Sequence, residues 1–373
     1  MPQYRFQQLS DTNAAYTREL NEAAARVIAS GRYLLGPETE ALEQELAALL
    51  HTGYAVGTAN GLEAIRLIFR ALIETGRLRP GDGVLVPANT FIASILPLTQ
   101  LGLVPQPVDP DEATMSVSLS RMADAATSET KAALAVHLYG YPAYDTEGLC
   151  RLTDRGIMLV EDNAQAIGAE VWDETTGIWR RTGSLGIASA ISFYPAKNIG
   201  ALGDAGAAAT SDRQLADVIR ELSNYGSGKK YHYDYLGYNS RMDELQAAFL
   251  RVKLPYTDAE RQKRGIAAMT YGKGITNPQI TLPPTDYRFR QAWHQYVIRS
   301  PRRDELQRYL AENGVETMIH YPVPPHLQPC YRGIFDGAYP VTERLAGEVL
   351  SLPIANTGES EASEIAEIIN RFK

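Results

Sequence analysis

The chain has 373 residues, too many for one compact core of ordinary size, so a large unit and a smaller one are expected. Hydrophobic residues make up 45% and charged residues 21%, which excludes a disordered chain, and no window nears the roughly 18 uninterrupted apolar residues of a membrane-spanning helix. The net charge of −8, with no basic run, gives no general attraction to nucleic acid, and the polar opening MPQYRFQQLSD has no apolar signal core, so a cytoplasmic location is expected.

In chain order, Leu20, Ala24, Val27 and Ile28 recur at helical spacing over 13–29, and Gly31 ends that helix. A second helix starts at Pro37, whose fixed φ suits a first helical position, and carries Leu42, Leu46 and Leu49. From residue 55 short apolar runs predict strands at 84–87, 104–108, 132–138, 157–161, 188–194 and 206–210, with helices at 60–73, 91–101, 144–155 and 211–223. Such alternation predicts an α/β fold with a largely parallel sheet covered on both faces, and places ligands off the carboxyl ends of the strands. The stretch from Met242 to about Tyr271 reads as one long helix, with Leu245, Ala248, Phe249 and Val252 on one face and a kink at Pro255. A second unit follows: strands near 293–299 and 315–320, helices near 303–313, 342–349 and 361–371. The unit boundary is expected near residue 250, giving domains 1–250 and 251–373. Cys150 and Cys330 form neither a metal-binding spacing nor a disulfide framework, and are expected as buried or half-buried thiols.

Four segments follow strands. In SFYPAKNIGALGDAG (192–206), Lys197 sits in a glycine-rich loop. A lysine that forms an imine needs a desolvated amine of lowered pKa, and glycines let the backbone approach a flat ring; a structural lysine is the alternative. Ser192 could offer its hydroxyl to a phosphate. In VEDNAQAIG (160–168), Asp162 ends a strand, where a carboxylate would keep a pyridine nitrogen protonated; capping the next helix is the alternative. GTANGLEA (57–64) is a strand–turn–helix whose free backbone N–H groups suit a phosphate, a turn found in many α/β proteins. In PANTF (87–91), Phe91 could stack on a ring or pack the next helix. No dinucleotide G-x-G-x-x-G, Walker loop, nucleophile-elbow serine or H-E-x-x-H occurs.

With VPANTFIA, SFYPAKNIGALGDAGA and GYNSRMDELQAA (237–248), these segments resemble, in this order, the DegT/StrS family of pyridoxal-phosphate-dependent sugar aminotransferases, from GRYLLGPE (31–38) to HYPVPPH (320–326). The resemblance implies an aspartate aminotransferase-like fold (PLP fold type I), with a large mostly parallel α/β unit and a smaller C-terminal α+β unit. It implies that Lys197 holds the cofactor covalently as an imine and shuttles a proton, and that Asp162 pairs with the ring nitrogen. Gln165 would lie near the ring oxygen and Phe91 on the ring face, with Asn60, Gly61 and Ser192 at the phosphate. Asn239 would come from the second subunit of a homodimer with a shared site. NGLEA, EDNAQA, NYGSGKKY (224–231) and HYPVPPHLQ (320–328) are similar to members that aminate dTDP-linked 3-keto-6-deoxyhexoses, giving dTDP-3-amino-3,6-dideoxyhexoses. In that group Tyr194, a basic residue and Tyr321 lie around the substrate; Lys230 is chosen as the basic residue, with Lys229 as rival, and His320 joins them by its motif. Ile167 and Gly228 depart from the family pattern, where a polar residue or histidine, and a bulkier or basic residue, are common. His137 could lie near the cofactor or be a satisfied core histidine; His51, His232, His294 and His326 are given structural places.

The implied reaction has two halves, with L-glutamate as amino donor and the keto-sugar nucleotide as acceptor, which predicts ping-pong kinetics. The rivals are amination of a 4-keto sugar on a dTDP, UDP or GDP carrier, and a non-catalytic regulatory member. A related sugar dehydratase has histidine in place of the lysine, so Lys197 argues against that activity.

Overall fold

The computed structural model describes residues 2–335 and 337–373. Among the described residues twelve strands run in chain order: β1 Tyr54–Thr58, β2 Gly83–Pro87, β3 Val104–Val108, β4 Thr130–Val136, β5 Met158–Asp162, β6 Glu170–Asp173, β7 Ile178–Arg181, β8 Ala188–Ser192, β9 Gly206–Thr210, β10 Phe289–Arg290, β11 Tyr296–Arg299 and β12 Val349–Leu352. The helices are α1 Leu9–Ala14, α2 Thr17–Ser30, α3 Pro37–Leu50, α4 Gly61–Glu74, α5 Leu96–Gln100, α6 Leu119–Ala125, α7 Thr146–Asp154, α8 Arg213–Ser223, α9 Glu244–Lys253, α10 Thr257–Gly274, α11 Arg303–Glu312, α12 Pro340–Glu348 and α13 Glu359–Asn370.

The central seven-stranded sheet has the order β1-β9-β8-β5-β4-β2-β3. β9 pairs antiparallel with both its neighbours and every other pairing is parallel, so only β9 runs against the rest. Helices cover both faces, which is why β2, β4 and β9 read as continuous apolar or small residues rather than as alternation. One side of the sheet packs Val84, Val86, Leu134 and Val160 against Ile65, Ile68, Phe69 and Leu72 of α4. Opposite the alanines of β9, Leu42, Leu46 and Leu50 of α3 join Ala247 and Leu250 of α9 in a second layer. A separate apolar core gathers Tyr271, Tyr296, Leu306, Leu310, Leu350 and Ile365, with Tyr4 from the other end of the chain. No helix among the described residues is long and apolar enough to cross a membrane.

Local chemistry accounts for the element ends. Pro37 is at the start of α3, and Gly31 closes α2 in the left-handed region, where glycine carries no Cβ penalty. Pro255 divides the long 242–271 stretch: α9 ends at Lys253 and a 3₁₀ turn over Leu254–Tyr256 leads into α10. The face of Leu245, Ala248, Phe249 and Val252 packs on α2.

Several expectations are corrected. The 13–29 helix begins only at Thr17, after a separate short α1. The 91–101 helix shrinks to a 3₁₀ turn and the five-residue α5, because Pro97 cannot donate within a continuous helix. The 293–299 strand starts at Tyr296, since Trp293 has a left-handed φ of 49°. The 315–320 segment forms no ladder: it pairs only at Val315 with Tyr4 and at Met318 with Ser351. The β6–β7 hairpin, α6 and β12 were not expected. Cys150 and Cys330 are free and exposed rather than buried; the buried neighbours are Leu152 on α7 and Tyr331 beside Cys330.

Candidate active site

The register of the central sheet brings the strand-following segments to one edge. Asp162, last in β5, stands opposite Val136, last in β4. Ser192, last in β8, stands opposite Gly206, which in turn faces Thr58 at the end of β1. Asn60 and Gly61 follow two residues later and open α4, with Asn60 Oδ1 accepting from the Glu63 N–H at 2.9 Å. The approach is close: a Cβ on Gly61 would lie 2.7 Å from the Cβ of Ser192, and one on Gly206 would lie 2.3 Å from the carbonyl carbon of Asn60. Asn60, Gly61 and Ser192 therefore form one cradle at a helix N-terminus, where free N–H groups favour a phosphate.

Lys197 lies in the loop between β8 and β9, which Ala201 N–H closes by donating to Phe193 O at 2.8 Å. Its surroundings desolvate the amine and lower its pKa from 10.5 to about 8, against the pull of the Asp162 carboxylate toward the charged form. Asp162 is buried; its Oδ2 accepts from Ser94 Oγ at 2.7 Å and its Oδ1 from Ala164 N–H at 3.1 Å. The helix-capping alternative for Asp162 has no helix to cap, because only turns follow it.

Gln165 is oriented at both ends of its amide. Its Oε1 accepts from Tyr139 N–H at 2.6 Å and its Nε2 donates to Tyr321 Oη at 3.0 Å. Burial, with Asp162 adding to it, pushes the Tyr321 phenol up to about 12. The Tyr321 ring lies 5.2 Å from that of Phe91, whose side chain stays 49% exposed and so leaves a face free for stacking. His320 Nδ1 meets Ser351 Oγ at 2.8 Å, and desolvation, then the nearby Lys197 cation, lowers its pKa to about 4, which keeps it neutral.

Other sequence-selected residues lie at the surface. Tyr194 is exposed, and its carbonyl accepts from Lys197 N–H at 2.8 Å. Lys229 and Lys230 are exposed, Lys230 with its ammonium 5.2 Å from the Tyr231 ring centre. Asn239 is exposed and accepts from Arg241 Nη2 at 2.7 Å. The two departures have local reasons. Ile167 is buried in the α3–β8 core, and a Cβ on Gly228 would come within 2.7 Å of Glu221 Oε1. His137 is the satisfied core histidine: its Nδ1 accepts from Ala143 N–H at 3.0 Å, so its Nε2 donates to Glu161 at 2.9 Å.

Sequence reading missed Ser94, Tyr139 and Asn198. Asn198, next to the lysine, donates from Nδ2 to Ala292 O at 2.7 Å and accepts from His294 Nδ1 at 3.1 Å. His294, given only a structural place, is thus bonded into the lysine loop, and burial followed by Lys197 lowers its pKa well below the usual value. Ser94, at the end of FIAS (91–94), gave no signal, since a serine declares its partner only once the sheet is folded.

The arrangement fits pyridoxal phosphate. A cradle too narrow for a Cβ opens onto a helix N-terminus, a desolvated lysine stands within reach of a buried carboxylate's field, and the Phe91 ring beside Tyr321 is half exposed. Comparison with known proteins agrees with this chemistry. Residues 15–372 match the model of the DegT/DnrJ/EryC1/StrS aminotransferase family. The chain is 45% identical over 361 residues to the erythromycin biosynthesis sensory transduction protein EryC1 of Saccharopolyspora erythraea, covering 95% of this chain and 96% of that one. It is 44% identical over 351 residues to the dTDP-3-amino-3,4,6-trideoxy-alpha-D-glucose transaminase of Streptomyces venezuelae, covering 92% and 90%. The crystal structure of S. venezuelae DesV in complex with a ketimine intermediate superposes with a TM-score of 0.93 at 42% identity, covering 99% of this chain and 98% of that chain. The chain belongs to the DegT/DnrJ/EryC1/StrS aminotransferase family.

Proposed function

We propose that this protein is a pyridoxal-phosphate-dependent aminotransferase that moves an amino group from L-glutamate to a dTDP-linked 3-keto-6-deoxyhexose, giving a dTDP-3-amino-3,6-dideoxyhexose. The observation that carries the reading is the joining of Lys197, Asp162 and the Asn60–Gly61–Ser192 cradle at one sheet edge. The family membership supports the chemistry, and the printed activity of the Streptomyces venezuelae transaminase supports a dTDP-linked sugar aminated at carbon 3.

Bound covalently to Lys197, pyridoxal phosphate supplies a sink for the electron pair left when a C–H bond breaks beside nitrogen. The chain's residues do the rest. Asp162 keeps a proton on the ring nitrogen, and Ser94 holds the carboxylate in place. Once free of the cofactor, Lys197 Nζ removes the proton from the donor's amino carbon and delivers it on the other side of the transfer; a pKa lowered to about 8 lets a neutral amine do this near neutrality. The N–H groups of α4, with Asn60, Gly61 and Ser192, would hold the phosphate, Phe91 beside Tyr321 would cover the ring, and Gln165, oriented by Tyr321, would serve the ring oxygen. Tyr194, His320 and Tyr321 border the sugar, and Lys230 meets the pyrophosphate. Asn239 of a second copy of this chain completes the cradle, making the enzyme a homodimer with shared sites in the cytoplasm. The chain divides near residue 250 into a cofactor-binding unit (1–250) and a smaller unit (251–373); two apolar cores support this, though Val297, Tyr331, Leu345 and Val349 join the larger one and Tyr4 the smaller.

The test is an absorption spectrum of wild type and Lys197→Ala with added pyridoxal phosphate. Expected is a visible band in wild type alone, lost with glutamate and restored by dTDP-3-keto-6-deoxyglucose. Restoration only by 4-keto sugars would move the amination to carbon 4. No band in folded wild type would leave a non-catalytic regulatory or sensing protein, in line with the sensory transduction role printed for the EryC1 relative.

A further inference from the structure

Lys197 projects from a tight loop, and that loop is gripped from outside at three successive points. Gln7 Nε2 donates to Ala196 O at 3.1 Å, on the N-terminal side of the lysine. Asn198 is held by Ala292 and His294. On the far side, Lys253 Nζ donates to Gly200 O at 2.6 Å and to Asn13 Oδ1 at 2.5 Å. Gly200 has no room for a side chain, because a Cβ there would stand 2.3 Å from Pro195 O.

Lys253 is buried, although none of the ion pairs formed by the described residues includes it. Burying an ammonium with no carboxylate in contact costs stability, which a methionine of similar shape would avoid. What a methionine lacks is a donor that reaches the loop. A charge-assisted N–H···O bond is shorter and roughly twice as strong as a neutral one, and one ammonium can serve two acceptors at once. Lys253 ends α9, which also sends Gln246 to the loop, where its Oε1 accepts from Leu202 N–H at 2.8 Å. Gln7 and Asn13 belong to the N-terminal segment, whose Phe6 N–H is held by Glu316 Oε2 at 2.8 Å and whose Phe6 ring lies 5.9 Å from the His320 ring. The carbonyls on either side of Lys197 are thus fixed to two different parts of the molecule.

We propose that Lys253, with Gln7 opposite it, is a positioning residue for Lys197, fixing the two carbonyls that flank the lysine so that its amine holds one direction toward the cofactor site. The inference rests on Lys197 being the cofactor-bearing lysine. Its chemical logic is that loss of either tie loosens the amine's direction, and displacement of a reacting group by about 1 Å costs on the order of a hundred-fold in rate.

The test compares wild type with Lys253→Met, Lys253→Arg, Gln7→Ala and the core variant Leu310→Ala. The first reading uses the protein without cofactor: the rate at which 2,4,6-trinitrobenzenesulfonate labels Lys197, followed by peptide mass spectrometry. The second is the half-reaction of the cofactor-loaded enzyme with glutamate, split into kcat and KM. K253M is expected to change the labelling rate at least about three-fold and to lower kcat roughly ten-fold with KM within about two-fold. K253R should recover most of both, and Q7A should move both in the same direction by less. L310A should lower the melting temperature and leave the labelling rate unchanged, because lost packing elsewhere does not redirect the amine. Wild-type labelling and kcat in K253M and Q7A would overturn the proposal; if K253M does not fold, Q7A and Asn13→Ala decide it by the same readings. A wild type that labels at Lys197 but forms no cofactor band would sink the cofactor reading and leave the labelling comparison to judge the positioning alone.

Discussion

Ser94 Oγ donates to Asp162 Oδ2 across 2.7 Å, joining the turn after β2 to the end of β5 although 68 residues separate them in sequence. The same hydroxyl lies 2.9 Å from Thr90 Oγ1, so the carboxylate is the end of a short buried chain of hydroxyls. With Ala164 N–H on the other oxygen at 3.1 Å, the carboxylate is fixed in orientation, which pairing with a ring nitrogen would require. Ser94→Ala should leave the protein folded and slow the glutamate half-reaction roughly ten-fold, the equivalent of one hydrogen bond to a charged group at about 1.5 kcal/mol. Asp162→Asn, which removes the charge itself, should slow it by about a thousand-fold or more. Stopped-flow loss of the visible band measures both, and an S94A rate equal to wild type would show that Asp162 needs no second holder.

The lowered pKa of Lys197 sets a pH dependence. The neutral amine is the nucleophile, and with a pKa of about 8 roughly a tenth of it is neutral at pH 7, against well under a thousandth for a free lysine. The rate at which cofactor-free protein takes up pyridoxal phosphate should therefore rise about ten-fold per pH unit below pH 8 and level off above it. His320, whose pKa is lowered to about 4, contributes no change over that range because it is already neutral. A rise that continues to pH 10 would mean an exposed, ordinary lysine.

Gln165 and Tyr321 form a testable pair, since the Nε2–Oη bond of 3.0 Å joins the turn after β5 to the 320–321 segment. Tyr321→Phe keeps the ring against Phe91 and removes the acceptor. Gln165→Ala removes the donor and frees Tyr139 N–H. In a double-mutant cycle on kcat/KM for the keto-sugar, the two should couple by about 1 kcal/mol, the net worth of one neutral hydrogen bond. Additive effects would mean that the two residues act separately.

Legibility in sequence followed the range of the interactions. Asp162, Asn60 and Lys197 could be placed because each directly follows a strand whose apolar run is visible, and the sheet then delivers all three to one edge. The kink at Pro255 was readable because proline acts on its own backbone. Ser94, Tyr139 and Lys253 were not, because each earns its place by a bond to a residue 26 to 240 positions away. The β6–β7 hairpin failed for another reason: its strands have four residues each, too short for alternation to stand out, though Gly177 at φ 67° and Asp173 Oδ1 accepting from Thr175 N–H make its turn. The 315–320 segment looked like a strand because Val315 and Ile319 are apolar, yet it finds ladder partners at only two points.

The phosphate cradle offers a graded pair of substitutions. A Cβ at Gly61 would press on Ser192 Cβ at 2.7 Å and Cα at 3.2 Å, which a small shift of this last residue of β8 would relieve. A Cβ at Gly206 would meet Asn60 C at 2.3 Å and Gly61 N at 2.7 Å, both backbone atoms of the cradle, which cannot move without carrying the N-terminus of α4 with them. Overpacking of this kind costs about 1–3 kcal/mol. Gly61→Ala should therefore lie near the low end in urea unfolding, and Gly206→Ala near or above the high end. The cofactor reading adds a second expectation that stability alone does not: both variants should weaken pyridoxal phosphate binding, Gly206→Ala more than Gly61→Ala, because displaced N–H groups no longer converge on the phosphate. Equilibrium dialysis at a urea-free pH of 7.5 measures that binding separately from unfolding. If Gly206→Ala lost stability but bound pyridoxal phosphate as wild type does, the phosphate would lie elsewhere, and the cradle would be a packing feature of the β1–β9–β8 edge.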